Sequence, residues 1–514
     1  MMIKKKAMAI FLSFLLVLVP FGSASASEVS SDPQADTATA SDMLCSVSAF
    51  AAAGDTFDTA AGISVGTAYS GTISEDNTSD WYKFTLDTSG TLTFKATGYL
   101  EGISYLLYDE DGENIWSDSV KWDSSTEVSS FTYTSVLTSG TYYLLVNQYF
   151  YTSWYGSTSY YDYYGDYSFQ TSFSSAGETF SETQGGSDNT IATANSISVG
   201  TTYKGQIAEN DSADFYGFTL SSTGTLSIDA TSYITKVTYA IYDKYGTQLW
   251  SSTRSQDSTL GFDTMSTSVC LNSGTYYLKV KQSSGYGNYS FKLGFTSAGE
   301  SFKEPENGNN NTLDTADSIS LRSAAYTGQL SVNDVIDVYT FTVSSKNSIE
   351  ISFASGLREF DCYIYDSTGS KVWSHVVGTS YVTRTEDIEY TEYETLSAGT
   401  YYLLVTQDSS DQYGAYTFSL NYYVETPAFT KVKAGKKKLK LKWSLSDSSG
   451  VTYQVAYRKK GSKKWKKVSV KSKSKTIKKL KSKKTYQVRV RAVKKIGGKK
   501  YYSSWSAVKK AKIK

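Results

Sequence analysis

Along most of this chain, apolar and polar residues alternate with a period of two. Leu92 and Phe94 stand between Thr91, Thr93 and Lys95, and Tyr142, Leu144 and Val146 share one side of their run. The same pattern runs from Leu439 to Trp443, from Tyr453 to Tyr457 and from Tyr486 to Ala492. Period two places such residues on one face of a half-buried strand, and Gly90, Gly112 and Gly140, with Asp or Ser beside them, punctuate the runs as turns. Helical periodicity is absent. Short strands at about 8–12-residue spacing predict an all-β protein built of sandwiches. One early stretch departs from the pattern. Lys4 to Lys6 precede an apolar run from Ala7 to Val19, and Ala24 and Ala26 have the small-residue spacing of a cleavage site. This run is shorter than the ~20 residues that span a bilayer, so residues 1–26 read as a signal peptide and 27–53 as a linker. No later run is long enough for a membrane helix, and export is expected.

Internal repetition sets the organisation. Tyr69-Ser-Gly71 recurs as Tyr203-Lys-Gly205 and Tyr326-Thr-Gly328. Asp80-Trp-Tyr-Lys-Phe84 recurs as Asp214-Phe-Tyr-Gly-Phe218 and Asp337-Val-Tyr-Thr-Phe341. Ser139-Gly-Thr-Tyr-Tyr-Leu144 recurs as Ser273-Gly-Thr-Tyr-Tyr-Leu278 and Ala398-Gly-Thr-Tyr-Tyr-Leu403, and Asp166-Tyr-Ser-Phe169 as Asn288-Tyr-Ser-Phe291 and Ala415-Tyr-Thr-Phe418. A spacer, Ala53-Gly-Asp-Thr-Phe57, Ala176-Gly-Glu-Thr-Phe180 and Ala298-Gly-Glu-Ser-Phe302, is expected before each copy, with polar linkers at 184–189 and 304–311. The expected modules are 54–180, 181–302, 303–424 and, with a different pattern, 427–514.

These shared elements resemble the bacterial pre-peptidase C-terminal domain. The resemblance covers roughly residues 54–424 and implies tandem jelly-roll-like β-sandwiches found beside secreted peptidases. Residues 427–514 resemble a Lys-rich bacterial fibronectin type III domain, an immunoglobulin-like sandwich. Trp443 matches the core Trp of its second strand, Leu480 and Tyr486 flank its tyrosine corner, and Tyr501 to Val508 match its last strand.

Charge divides the chain at the same boundary. Residues 427–514 hold 32 Lys and Arg against one acid, Asp447, whereas the first 426 residues hold 19 Lys and Arg against 49 Asp and Glu. Such a field is an interaction signal. An exported polycation would meet an anionic cell-wall polymer or an acidic glycan, and its compartment argues against an evolved nucleic-acid partner. Non-covalent retention at the cell surface is the expectation.

Catalytic patterns are scarce. His375 is the single histidine, expected in a loop, which excludes a His-Glu-x-x-His zinc site. No Cys-x-x-Cys occurs, and Cys270 and Cys362 read as buried small hydrophobes. The chain is therefore read as a non-enzyme. Acidic turns before the Asp-x-Tyr strand suit a hard cation: Glu75, Asp76 and Asp80; Glu209, Asp211 and Asp214; Asp334 and Asp337. The resemblance implies calcium, since some relatives bind it. The competing expectation is that these Asp residues only cap the turn. An insertion in the first copy gathers Tyr149, Tyr151, Trp154, Tyr155, Tyr160, Tyr161, Tyr163 and Tyr164. Its Tyr/Ser/Gly composition suits recognition of carbohydrate or protein, or a β-hairpin with cross-strand aromatic pairs. The expected function is multivalent adhesion to polymeric ligands. An accessory of a secreted peptidase and an envelope spacer are the alternatives.

Overall fold

A computed structural model describes residues 54–514 except 99–101, 122–128, 149, 153–157, 161–163, 322–323, 358, 379–387 and 408–412. The signal peptide, the 27–53 linker and Cys45 lie outside the described residues. No helix among those described is long and apolar enough to cross a membrane.

The first module packs a five-stranded sheet against a four-stranded one. The larger sheet runs in the order Ala61–Gly62, Ser79–Leu86, Gly140–Gln148, Gly102–Tyr108, Asn114–Lys121, and the smaller in the order Ala68–Ile73, Gly165–Ser175, Gly90–Gly98, Ser129–Leu137. The same order recurs over residues 195–297 and 317–422. Alternation works as expected: in Gly90–Gly98, Leu92, Phe94 and Ala96 are buried while Lys95 is exposed. Cys270 and Cys362 are buried free thiols.

One buried network explains most of the repeated signature. In each copy two tyrosine hydroxyls, one from each sheet, share a hydrogen bond: Tyr82 with Tyr167 at 2.7 Å, Tyr216 with Tyr289 at 2.6 Å, Tyr339 with Tyr416 at 2.8 Å. The second hydroxyl of each pair donates to the carboxylate that recurs in each copy, Asp80, Asp214 or Asp337. The Tyr-x-Gly element follows from this. A Cβ on Gly71, Gly205 or Gly328 would overlap the tyrosine pair. Thus Tyr-x-Gly, Asp-x-Tyr and Tyr-Ser/Thr-Phe, far apart in sequence, form one polar cluster in an apolar core, where each hydroxyl needs its partner.

Module boundaries differ from expectation. Phe180 stacks on Tyr203 at 5.8 Å and Phe302 on Tyr326 at 5.9 Å. The spacers 176–180 and 298–302 therefore belong to the modules that follow them. Gly54 to Phe57 is not their counterpart. Thr56 caps a short 3-10 turn, Phe57–Thr59, equivalent to Ile191–Thr193 and Leu313–Thr315 with their caps Thr190 and Thr312. The similar letters at 54–57 thus occupy the next structural position along.

The C-terminal module packs Ala428–Gly435, Lys438–Ser444 and Ser474–Lys478 against a five-stranded sheet around Trp443 and Tyr453. Tyr486 accepts from the Lys481 N–H at 3.2 Å, forming the expected corner. The last strand is Lys509–Lys512, not 501–508. Instead Ser503 and Ser506 accept from the Ala492 and Val490 N–H groups with their side chains. That places Trp505 between the Arg489 and Arg491 guanidinium groups, at 4.4 and 4.6 Å, in a ladder continued by Trp465 and Tyr502. The module packs against the third sandwich through Ile496 and through Tyr501, whose ring meets Tyr422 edge-on at 4.9 Å.

Candidate metal centres at the module junctions

Two carboxylate clusters stand out. Glu182, Asp188 and Asp214 bring ligand oxygens within 4.8 Å of one another, and so do Glu304, Asp334 and Asp337. All six are buried, with Asp214 and Asp337 at 1% and 0% exposure. In the first cluster Glu182 Oε2, Asp188 Oδ1, Asp214 Oδ1 and both carboxylate oxygens of nearby Asp211 are buried without a hydrogen-bond donor. In the second, Glu304 Oε2, Asp334 Oδ1, Asp337 Oδ1 and Asn310 Oδ1 are in the same state. A buried carboxylate left without a donor is costly, and several facing each other add repulsion.

The electrostatics reflect this. Burial first, then the charge of Asp211, pushes Asp214 well above the carboxylate range. Burial also raises Glu182 and Asp188. In the other cluster burial raises Asp337 and Asp334, and pushes Glu304 up to about 11. Glu178 and Glu300, in the spacers, are pushed up to about 7 by burial. The donor set is all oxygen, with neither sulfur nor imidazole, which suits calcium or another hard cation rather than zinc.

Local structure brings these groups together. Asp214 and Asp337 begin the strands carrying the tyrosine network. Asp211 and Asp334 come from the preceding turn, where a Cβ on Gly186 or Gly308 would meet their carboxylates. Both glycines have φ near +70° (73° and 68°), a conformation glycine adopts without strain. Asp188 and Asn310 hold equivalent places, since their carbonyls accept from Phe215 and Val338 N–H. Asp188 accepts from Asn195 at 2.8 Å, while Asn310 donates to Asp317 at 3.0 Å, so acid and amide exchange places between copies.

Among the described residues the first module has the turn without the cluster. Gly54 occupies the place of Asp188, its carbonyl accepting from Trp81 N–H. Asn77 occupies that of Asp211 and donates its amide to Asp80 at 2.8 Å. Glu75 and Asp76 are exposed on this turn. Among the described residues Glu75, Asp76 and Asp80 do not come together as the other clusters do. Glu209 also turns elsewhere, accepting from Tyr133 of the first module at 3.1 Å.

Both clusters sit where one module meets the next. The Glu182 carbonyl accepts from Ser139 Oγ, and Gln184 bridges Glu110 N–H and the Thr141 carbonyl. At the next junction the Glu304 carbonyl accepts from Ser273 Oγ, and Asn272 donates to the Pro305 carbonyl and to Asp334 itself, at 3.2 and 2.7 Å. Lys244 pairs with Glu306 at 3.1 Å. In the third copy Ala398 takes the place of Ser139 and Ser273.

The aromatic insertion is only partly visible. Tyr149, Trp154, Tyr155, Tyr161 and Tyr163 lie outside the described residues. Phe150–Thr152 and Thr158–Tyr160, which carry Tyr151 and Tyr160, pair as an antiparallel hairpin. Tyr164 is exposed. His375 lies in the strand Lys371–Gly378, not in a loop, stacked on Tyr390 at 3.9 Å with Glu392 beside it at 3.9 Å.

Comparison with known proteins agrees with this architecture. The family model of the bacterial pre-peptidase C-terminal domain matches residues 335–407, and that of the fibronectin type III domain matches 425–509. The chain thus contains one domain of each kind at these positions. Among solved structures it is similar to the pre-peptidase C-terminal domain of collagenase from Bacillus anthracis, with 25% identity over 22% of this chain and 100% of that one, at a TM-score of 0.17. It is also similar to a myokine (19% identity, 18% of this chain, 98% of that one, TM-score 0.16) and to a β-1,2-glucanase from Parabacteroides distasonis (13%, 35%, 30%, 0.16). No curated protein matches the chain.

Proposed function

We propose that this chain is a non-enzymatic, exported binding protein: three pre-peptidase-C-terminal-like sandwiches, with calcium set at two junctions, followed by a basic module that holds an anionic polymer of the cell surface. The observation that carries this reading is the pair of buried oxygen clusters at the junctions, with carboxylate atoms that meet no donor. Calcium takes six to eight oxygens in flexible geometry. Glu182, Asp188, Asp211 and Asp214 would hold it at one junction, and Glu304, Asp334 and Asp337, with Asn310, at the other. Each ion would offset repulsion inside a module and fix the loop that docks on its neighbour. Modules held in one arrangement present repeated weak sites together, which raises avidity for a polymeric ligand. The positive n-region and short apolar run of residues 1–26 support export. The non-enzymatic reading is supported by the kinds of domain the chain resembles, a pre-peptidase C-terminal domain and a fibronectin type III domain.

Calorimetric titration of the calcium-stripped protein tests the reading. Calcium should bind with measurable heat, and the double substitution D214N/D337N should abolish it. Absence of binding by the unsubstituted protein would retire the calcium sites.

A further inference from the structure

We propose that the outer face of the three-stranded sheet in the C-terminal module is a groove for a linear phosphodiester polymer. The inference rests on the anionic-polymer reading above and gives it a site and a ligand class.

Strand Lys438–Ser444 buries Leu439, Leu441 and Trp443 and turns Lys438, Lys440 and Lys442 outward. Its neighbour Ala428–Gly435 turns Lys431 and Lys433 to the same side. The register opposes like charges at three places: Lys431 faces Lys442, Lys433 faces Lys440, and Lys438 faces Lys478 of the third strand. Like charges directly opposite one another destabilise a sheet. No acid lines this face, and among the described residues none of the ion pairs involves this module. The repulsion is left for an external anion to relieve.

The face also restricts what that anion is. It forms a groove of about 500 Å³, which suits a chain better than a planar bilayer. Alternate residues on a strand lie ~6.8 Å apart and neighbouring strands ~4.8 Å apart, so the lysine stems rise from a regular two-dimensional array. The remaining lining is Ala434, Gly435, Leu441, Ser474, Lys475 and Thr476. With no aromatic ring in the groove, neither a base nor a sugar has a surface to stack on. Recognition is by charge spacing alone, through the compact point charges of lysine rather than the fork of arginine. A phosphodiester-linked polyol carries one permanent charge per short repeat and needs no stacking. Uronic-acid glycans space their charges by whole rings.

The experiment uses the full chain and poly(glycerol phosphate) as probe, titrated at low and raised salt. The substitution K433Q/K440Q removes one opposed pair. The control K463Q/K464Q removes the same charge from an exposed turn outside the groove. The groove pair should weaken binding about tenfold or more and flatten its salt dependence, with an unchanged or raised melting temperature, whereas the control should change affinity less than about threefold. Equal losses in both variants would mean diffuse attraction to net charge and would overturn the groove. Tighter binding to phosphatidylglycerol vesicles than to the polymer would overturn the ligand class. If the unsubstituted chain binds no polyanion, the anionic-polymer reading itself falls. If only the groove variant binds normally, that reading stands and the groove falls.

Discussion

The first and third sandwiches carry the same strand, the same tyrosine pair and the same buried aspartate, yet they balance that aspartate differently. Asp80 accepts an amide hydrogen from Asn77. Asp337 has Asp334 at the same offset and Glu304 beside it. A neutral donor satisfies a carboxylate from within the module. A second and third carboxylate leave facing oxygens without donors, a repulsion that the proposed cation would offset. Asparagine for aspartate at this offset, with Gly54 where Asn310 stands, thus separates a turn that satisfies its own aspartate from one that gathers carboxylates.

The largest effect expected from this difference is on chelation. Saturating calcium at ~100 times its dissociation constant contributes about 2.7 kcal/mol per module. Removing it should lower the melting temperature of the second and third modules by about 10 °C or more and leave the first unmoved. Module-resolved hydrogen exchange would show this, and equal loss of protection in all three would break the comparison. Next come the parts held in common. Gly71→Ala, Gly205→Ala and Gly328→Ala each force a Cβ into the tyrosine pair and should each cost about 2–4 kcal/mol in urea unfolding. These costs should be similar across modules and independent of calcium. Asp334→Asn recreates the first module's pairing. In chelator it should stabilise the third module by about 1–2 kcal/mol, because a repelling carboxylate becomes a donor. It should also erase that module's response to calcium in thermal melts.

The smallest expected effect is on pH dependence. Glu178 and Glu300 are pushed up to about 7 by burial, against an unfolded value of about 4.3. The native state then holds protons that the unfolded state releases. In chelator, stability from these groups is full below pH ~4 and falls as pH rises toward 7, at up to about 1.4 kcal/mol per pH unit per group. With calcium the trend should reverse, since the cluster must ionise to bind the ion. Urea titrations between pH 4 and 7 would reveal both slopes.

The strands were legible because every second residue is buried, as Leu92, Phe94 and Leu439 show. The tyrosine network left a readable trace in the repeated triplets, but not its meaning, since partners such as Tyr82 and Tyr167 lie 85 residues apart. The clusters were half legible. Asp211, Asp214, Asp334 and Asp337 declare themselves as acids in one turn. Asp188 and Glu304 sit in polar stretches that read as linkers, with Glu182 just ahead of the first, and only folding returns those stretches to the turn. A usable signal was present: Phe180 and Phe302 are each followed two residues later by Glu, and Phe57 is not. The groove was invisible as a shape, because strand register, not composition, sets lysine against lysine.

The serine that receives the next module's spacer is present at 139 and 273 and replaced by Ala398 in the third copy. It works as punctuation. Each of the first two sandwiches carries a residue meaning that another of its kind follows, and the third carries one that ends the phrase. A fourth copy joined after Val424 would find no hydroxyl waiting, and reordering the members would misplace the full stop.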